Sequence, residues 1–186
     1  EFERGKGNEG ANSIRKEGEA LNTWYLADYA YVDREKGIYM MYERDSEKWD
    51  DEFRTERTGN VIPMTNDNVN ANKMIQHGKT PLPKFYGGFN NTFYYKNFDL
   101  NVMFSFSGGN WLMNTLYANG ATVSGIFNNV KDMVGKTWEK PGDIAEYPQL
   151  MWNSAYHYNS KGEYVKGTTK YDSQNTTRYL ERGDYI

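Results

Sequence analysis

Between Lys84 and Trp111 apolar and polar positions alternate along two consecutive runs, and the side-chain period of a β-strand is two. In the second run Phe98, Leu100, Val102, Phe104 and Phe106 share one face, with Asp99, Asn101, Met103, Ser105 and Ser107 on the other. In the first run Phe85, Phe89 and Phe93 share a face, with Tyr86, Asn90 and Thr92 opposite. Lys96-Asn97 joins the runs and is short enough to make them an antiparallel hairpin. Two settings produce such a ribbon. One is a soluble sandwich with a dry core; the other is a membrane barrel with a lipid-facing outside and a wet lumen. Periodicity alone does not separate them.

The rest of the chain predicts further antiparallel β structure. Strands are expected near 21–32, 36–44, 84–96 and 98–112, with a last one starting near 177. Leu21 to Val32 is dense in Trp and Tyr, and Asp33-Arg34-Glu35-Lys36-Gly37 supplies a turn before Ile38 to Tyr42. Glu43 to Arg57 is a charged, solvated stretch, and Thr58 to Pro83 is rich in Asn, Gly and Pro. Residues 45–80 and 114–176 are therefore expected as long loops. One short helix is predicted over Thr122 to Val134, where Val123, Ile126, Phe127, Val130 and Val134 recur at helical spacing. Connections this long are uncommon in compact soluble domains, whereas outer-membrane barrels pair short turns on one side with long loops on the other.

Composition sharpens this picture. The 186 residues suffice for one domain. Mean hydropathy is -0.91, a value that suggests disorder, yet aromatics make up 16% of the chain, with 16 Tyr, 9 Phe and 5 Trp. Disordered chains are poor in aromatics, so amphipathic β surfaces explain the combination better. A net charge of -3 without a basic patch argues against nucleic acid. The absence of Cys excludes disulfides and thiolate metal sites. No run of ~18 apolar residues is present for a membrane helix, a test to which barrel strands are nearly invisible. Glu1 to Gly10 has no apolar core of a secretion signal, and Gly183-Asp184-Tyr185-Ile186 reads as the opening of a new strand, so a fragment is expected.

Candidate chemistry is sparse. His77 and His157 lack a second ligand at metal spacing. Asn66 to Asn72 lacks the central Gly and terminal Glu of a calcium loop and reads as an Asx-rich turn. Asp50-Asp51-Glu52 lies in a charged run rather than on the rigid frame that paired carboxylates need for glycoside hydrolysis. Gly87-Gly88 and Gly108-Gly109 are strand glycines, not phosphate loops. No acid–base or nucleophile set converges, no cofactor motif is present, and the chain is not expected to be an enzyme. Trp138, Tyr147, Trp152, Tyr156 and Tyr158, interleaved with Asn153 and Asn159, are the candidate substrate contacts. Their rings stack on sugar faces or grip peptides; the plainer alternative is that they pack the loop onto itself. Phe85, Phe89, Tyr95 and Trp111 are girdle aromatics in a barrel and ordinary core in a soluble fold.

A series of short motifs then carries a resemblance. Tyr25…Tyr29-Ala30-Tyr31-Val32-Asp33…Gly37 is similar to a "yaGvD…tG" segment, with Tyr31 at the usual glycine. Asp67, Ile75, Gly78 and Pro83 to Asn91 resemble "D…iG…PKf.gGf.n", and Phe93 to Leu100 resembles "f.Yk.fdLs". Trp138, Pro141-Gly142-Asp143 and Tyr147-Pro148 look like "W..pGd…yP", and Thr177 to Ile186 looks like "sR.le.gdYi". The order is that of SusC/RagA-type TonB-linked outer-membrane transporters, over roughly residues 24 to 186. Residues 43–66 and 149–172 match none of the family's motifs.

The resemblance implies an all-β fold over 1–186, namely antiparallel strands from the C-terminal part of a TonB-dependent outer-membrane β-barrel, without its plug and final strands. It implies a parent protein in the bacterial outer membrane that imports oligosaccharides or oligopeptides. The implied partners are a SusD-like surface lipoprotein, TonB through parts outside this chain, membrane lipid and the substrate itself. A soluble carbohydrate-binding β-sandwich is the alternative that the residues leave open.

Overall fold

The computed structural model describes residues 12–45, 56–121, 129–150, 157–158, 164–165 and 175–186. Its elements in chain order are β1 (Ser13–Ile14), β2 (Thr23–Ala27), β3 (Tyr29–Val32), β4 (Tyr39–Arg44), β5 (Arg57–Pro63), α1 (Asn66–Ala71), β6 (Lys73–Ile75), β7 (Phe85–Tyr95), β8 (Phe98–Gly108), β9 (Trp111–Met113), α2 (Thr115–Gly120), β10 (His157–Tyr158), β11 (Tyr164–Val165) and β12 (Leu180–Arg182). Every pair between these strands is antiparallel: β1-β2-β6, β3-β4-β5, β7-β8, β9-β12 and β10-β11. The fold is all-β, as the alternation predicts.

The β7–β8 hairpin dominates. Its strands are eleven residues each and pair in register throughout, from Phe85 opposite Gly108 to Tyr95 opposite Phe98. Lys96 takes φ 53°, the left-handed value that a two-residue hairpin turn requires at its first position. Opposed residues share a face, so Phe85, Phe89, Phe93, Tyr95, Phe98, Leu100, Val102, Phe104 and Phe106 form one surface, apolar except for Asn91 opposite Val102. The other face carries Tyr86, Asn90, Thr92, Tyr94, Asp99, Asn101, Met103, Ser105 and Ser107, and there the Asn101 amide donates to the Thr92 hydroxyl at 3.2 Å. Two glycines sit beneath rings of the apolar surface: a Cβ on Gly87 would meet Phe106 at 2.7 Å, and one on Gly108 would meet Phe85 at 2.5 Å.

The apolar face is bare. Phe98 is 76% exposed and Leu100 58%, and no second sheet covers the face among the described residues. A lone two-stranded ribbon is marginal in water, so this surface needs an apolar environment. At ~3.3 Å per residue and a tilt of ~45°, eleven residues rise about 25 Å, the height of the apolar band of a membrane barrel.

The remaining strands build a folded mass at the open end of the hairpin. The predicted strand 21–32 divides at Asp28: β2 pairs with β6, whereas β3 pairs with β4, with a register shift between Tyr29 and Tyr31. The Asp28 carboxylate pairs with Arg57 at 2.5 Å and accepts from the Thr177 hydroxyl at 3.1 Å, while its carbonyl accepts from Tyr42 N of β4 at 2.9 Å. Within 45–80 the chain forms β5, α1 and β6. The Asn-rich stretch becomes α1, capped by the Thr65 hydroxyl on Asn68 N at 3.2 Å and anchored by buried Val69. One core gathers Ala27, Val32, Tyr39, Met41, Met64 and Val69, a second Ala118, Ala121, Met133, Tyr147 and Tyr179, and a third Ile14, Tyr25 and Ile75.

The helix expected over 122–134 is corrected in its described part. Residues 122–128 lie outside the described residues, and Lys131–Met133 form only a 3-10 turn. A helix is described earlier in the chain, α2, started by the Asn114 carboxamide on Tyr117 N at 2.9 Å. At six residues it is too short for apolar periodicity to reveal it.

Beyond β8 the strand direction continues through β9, and residues 180–185 run antiparallel beside it. Leu180, Glu181 and Arg182 face Met113, Leu112 and Trp111, while Tyr185 bridges Ser107. The register slips by one residue between these pairings, and the Asp184 carboxylate accepts from Gly109 N at 2.7 Å where it does. Gly109 takes φ 82° there, so the slip is a bulge.

Candidate functional site

The second core opens into a cleft of about 190 Å³. Asn114 and Tyr117 line it from the cap and first turn of α2, Glu146 and Tyr147 from the loop before residue 150, Arg178 and Tyr179 from the chain leading into β12, and Glu181 from β12 itself. Three sequence-distant stretches thus meet at one place.

Arg178 is its organising residue. Thr176 bridges Ala27, and the Thr177 hydroxyl accepts from Tyr29 N at 3.0 Å, which sets the next residue over the β3–β4 sheet. The Arg178 guanidinium then lies 4.9 Å from the centres of the Tyr29 and Tyr39 rings, 5.0 Å from Tyr147 and 5.6 Å from Tyr179. It donates through Nη2 to the Glu146 carbonyl at 2.8 Å. A planar, weakly hydrated cation suits a ring cage of this kind better than a lysine ammonium does. The Tyr29 and Tyr39 rings meet edge to face, 5.7 Å apart.

Burial pushes the Tyr39 phenol above its ordinary value of 10.0, and Arg178 pulls it partly back. Tyr29 is raised for the same reason. Both lie outside the β7–β8 hairpin. A raised folded-state pKa means that the stabilisation is complete below the unfolded value and is lost as pH rises through the folded one. Protease resistance of the mass at the end of the hairpin is therefore expected to hold at neutral pH and to fall above about pH 10. The Tyr39→Phe variant should hold to higher pH, and equal alkaline sensitivity of the two proteins would remove Tyr39 from this account.

The sequence-predicted contact residues divide as follows. Trp138 lies flat on Gly37 in the β3–β4 turn, and its indole donates to the Arg34 carbonyl at 2.7 Å. The turn is itself tied by Asp33, whose carboxylate accepts from Glu35 N and Lys36 N. Tyr147 is buried, with its hydroxyl on that of Tyr117, and lines the cleft. Trp138 N donates to Tyr147 O at 3.0 Å, so these two share one folded loop. Tyr158 stands on β10 opposite Tyr164 of β11. Trp152 and Tyr156 lie outside the described residues. No local pattern in the sequence joins Tyr29 and Tyr39 to Arg178 and Glu181, which lie far along the chain from them.

His77 Nδ1 meets Glu19 at 2.5 Å, and Lys136 meets Glu146 at 3.0 Å, which raises the Lys136 pKa. Among the described residues no group of three metal-ligating side chains occurs.

Comparison with known proteins bears on the whole chain. No family model matches it. It is 32% identical over 168 residues to the TonB-dependent receptor P3 of Formosa agariphila, an alignment that covers 82% of this chain and 15% of that protein. A structure of the RagAB peptide transporter matches 94% of the chain with a TM-score of 0.57, and one of the RagAB peptide importer in its closed-closed state does so with 0.59, both at 19% identity. The chain spans 17% of those solved chains. The structural likeness gives the fold, an amphipathic hairpin carrying a folded mass at its open end. The curated relative, aligned over most of the chain, shows that this chain belongs to the TonB-dependent receptors.

Proposed function

We propose that the whole protein is a TonB-dependent importer in the bacterial outer membrane, and that this chain supplies part of the C-terminal half of its barrel. The β7–β8 hairpin crosses the membrane, Lys96-Asn97 turns on the periplasmic side, and residues 45–80 and 114–176 lie on the extracellular side. The role is transport rather than catalysis. The cargo is an oligosaccharide or oligopeptide, delivered beneath a SusD-like lipoprotein, with TonB acting through parts outside this chain. The second loop region, with Trp138, Tyr147, Trp152, Tyr156 and Tyr158, is the one that meets the cargo, while the charged first region is solvated.

The observation that carries this reading is the hairpin, whose apolar surface is uncovered over the height of a bilayer core and whose other face is mainly polar. The chain has no cysteine, which makes a labelling test clean. Single cysteines at positions 99 to 105 are placed in the whole receptor, freed of other cysteines and held in native membranes. A water-soluble maleimide should label 99, 101, 103 and 105 from the lumen and leave 100, 102 and 104 unmodified. Equal labelling of both faces would refute the membrane crossing.

A further inference from the structure

We propose that Arg178, Tyr39 and Tyr179 together bind one halide-sized anion, in practice chloride, at the inner wall of the cleft. The inference is independent of what the receptor imports.

Three buried donors meet there without an acceptor. Arg178 Nε and the hydroxyls of Tyr39 and Tyr179 have no hydrogen-bond partner among the described residues. Tyr39 is 2% exposed and Tyr179 4%, so bulk water does not serve them. The guanidinium lies 4.9 Å from the Tyr39 ring centre and 5.6 Å from that of Tyr179. The Tyr179 phenol is in turn close enough to Tyr39 to raise its pKa further. Were one hydroxyl to give its proton to the other, the second proton would still be left over. Buried donors are matched in folded proteins, and a surplus at one place calls for an acceptor from outside the chain. Arg178 and Tyr179 line the cleft, which gives such a ligand its way in.

Charge and valence select the acceptor. Arg178 makes no ion pair among the described residues, and its Nη2 donates to a backbone carbonyl, that of Glu146. The nearby carboxylates are engaged elsewhere, Glu146 with Lys136 at 3.0 Å and Glu181 with the Asn114 amide at 2.8 Å. The tyrosine rings attract the guanidinium but carry no net charge to balance it, and a partly buried cation is best matched by an anion. Water is the poorer acceptor here, because it has two lone pairs for three donors and brings two protons of its own. A halide accepts from all three and donates nothing. Polyatomic anions would bring further oxygens up against Glu146 and Glu181, which line the same cleft. Tyr39 belongs to the first core and Tyr179 to the second, so the bound ion ties the two cores together.

The test uses the whole receptor in detergent, with chloride titrated against gluconate at constant ionic strength. Amide exchange is read at Asn114 N, which donates to Tyr179 O at 2.9 Å. Raising chloride from zero to about 0.15 M should slow that exchange about threefold or more, and bromide should act in the same way. Tyr179→Phe and Tyr39→Phe each remove one donor to the ion, so each should raise the half-saturating halide concentration about tenfold. Two variants are used so that misfolding of one leaves the other to decide. Crystals soaked in bromide should show an anomalous peak within about 3.5 Å of Arg178 Nε and the Tyr179 hydroxyl. Exchange that ignores the identity of the anion, a halide response unchanged in the folded variants, or a soak with no peak at Arg178 each overturns the proposal. A peak without any exchange response marks an adventitious ion only and overturns it too. Protection by formate with none by chloride or bromide would overturn the halide in favour of a carboxylate group.

Discussion

Replacing Gly37 with valine is expected to destabilise the packing of the 129–150 loop on the β3–β4 turn by about 3–5 kcal/mol, through backbone strain and overpacking together. Gly37 sits at φ 62°, where a β-branched residue is strongly disfavoured. A Cβ there would lie 2.3 Å from Trp138 Cδ2 and 2.4 Å from Cε3. The indole would have to leave, taking with it the bond to the Arg34 carbonyl and its packing on the first core. The loop would lose its register as well, because Gln149 N donates to Gly37 O and Gly142 N to Arg34 O. Hydrogen exchange at these two amides in the whole receptor measures the opening directly. The W138A background separates the two causes: there Gly37→Val should cost only the backbone strain, about 1–3 kcal/mol. An undiminished cost in that background would mean that the indole contact is not what excludes a side chain.

Arg178→Ala is expected to cost about 2–3 kcal/mol at the same end of the molecule. The guanidinium is partly buried, touches four tyrosine rings within 5.6 Å and holds the Glu146 carbonyl at 2.8 Å. Its removal frees the 146–147 loop from the β3–β4 sheet. The bond from Asn114 N to Tyr179 O, 2.9 Å long, reports on the loss through its exchange rate. Arg178→Lys keeps the charge but neither the planar stack nor the forked donors, so it should recover less than half of the stability. Full recovery by lysine would reduce the ring cage to simple charge attraction.

The two predictions fall on residues of very different legibility. Trp138 and Tyr147 stand out in the sequence as loop aromatics, and both lie at the centre of the loop's packing. Arg178 does not stand out, because its partners come from β3, β4, the loop and its own neighbour, and nothing in their spacing links them. The split of residues 21–32 was equally hidden. Its aromatic run carries on across Asp28, where the chain changes partner from β6 to β4 and the Asp28 carboxylate meets the distant Arg57 and Thr177. The strand β5 was concealed for a related reason: its exposed Arg57-Thr58-Gly59-Asn60 has the composition of a loop, and only pairing with β4 makes it a strand.

Sequence alone determined the hairpin, its turn and the division of its faces. Alternation is a property of the extended backbone, repeated over enough positions to leave one register, and a slip by one residue would exchange the two faces. Tertiary structure decided everything that joins the long connections: the bulge at Gly109, the pairing of β9 with β12, the seat of Trp138 on Gly37 and the ring cage of Arg178. These contacts link stretches far apart in the chain through single side chains and single backbone bonds. Their energy comes from closing on one another, and no local period records which distant partner each residue will meet.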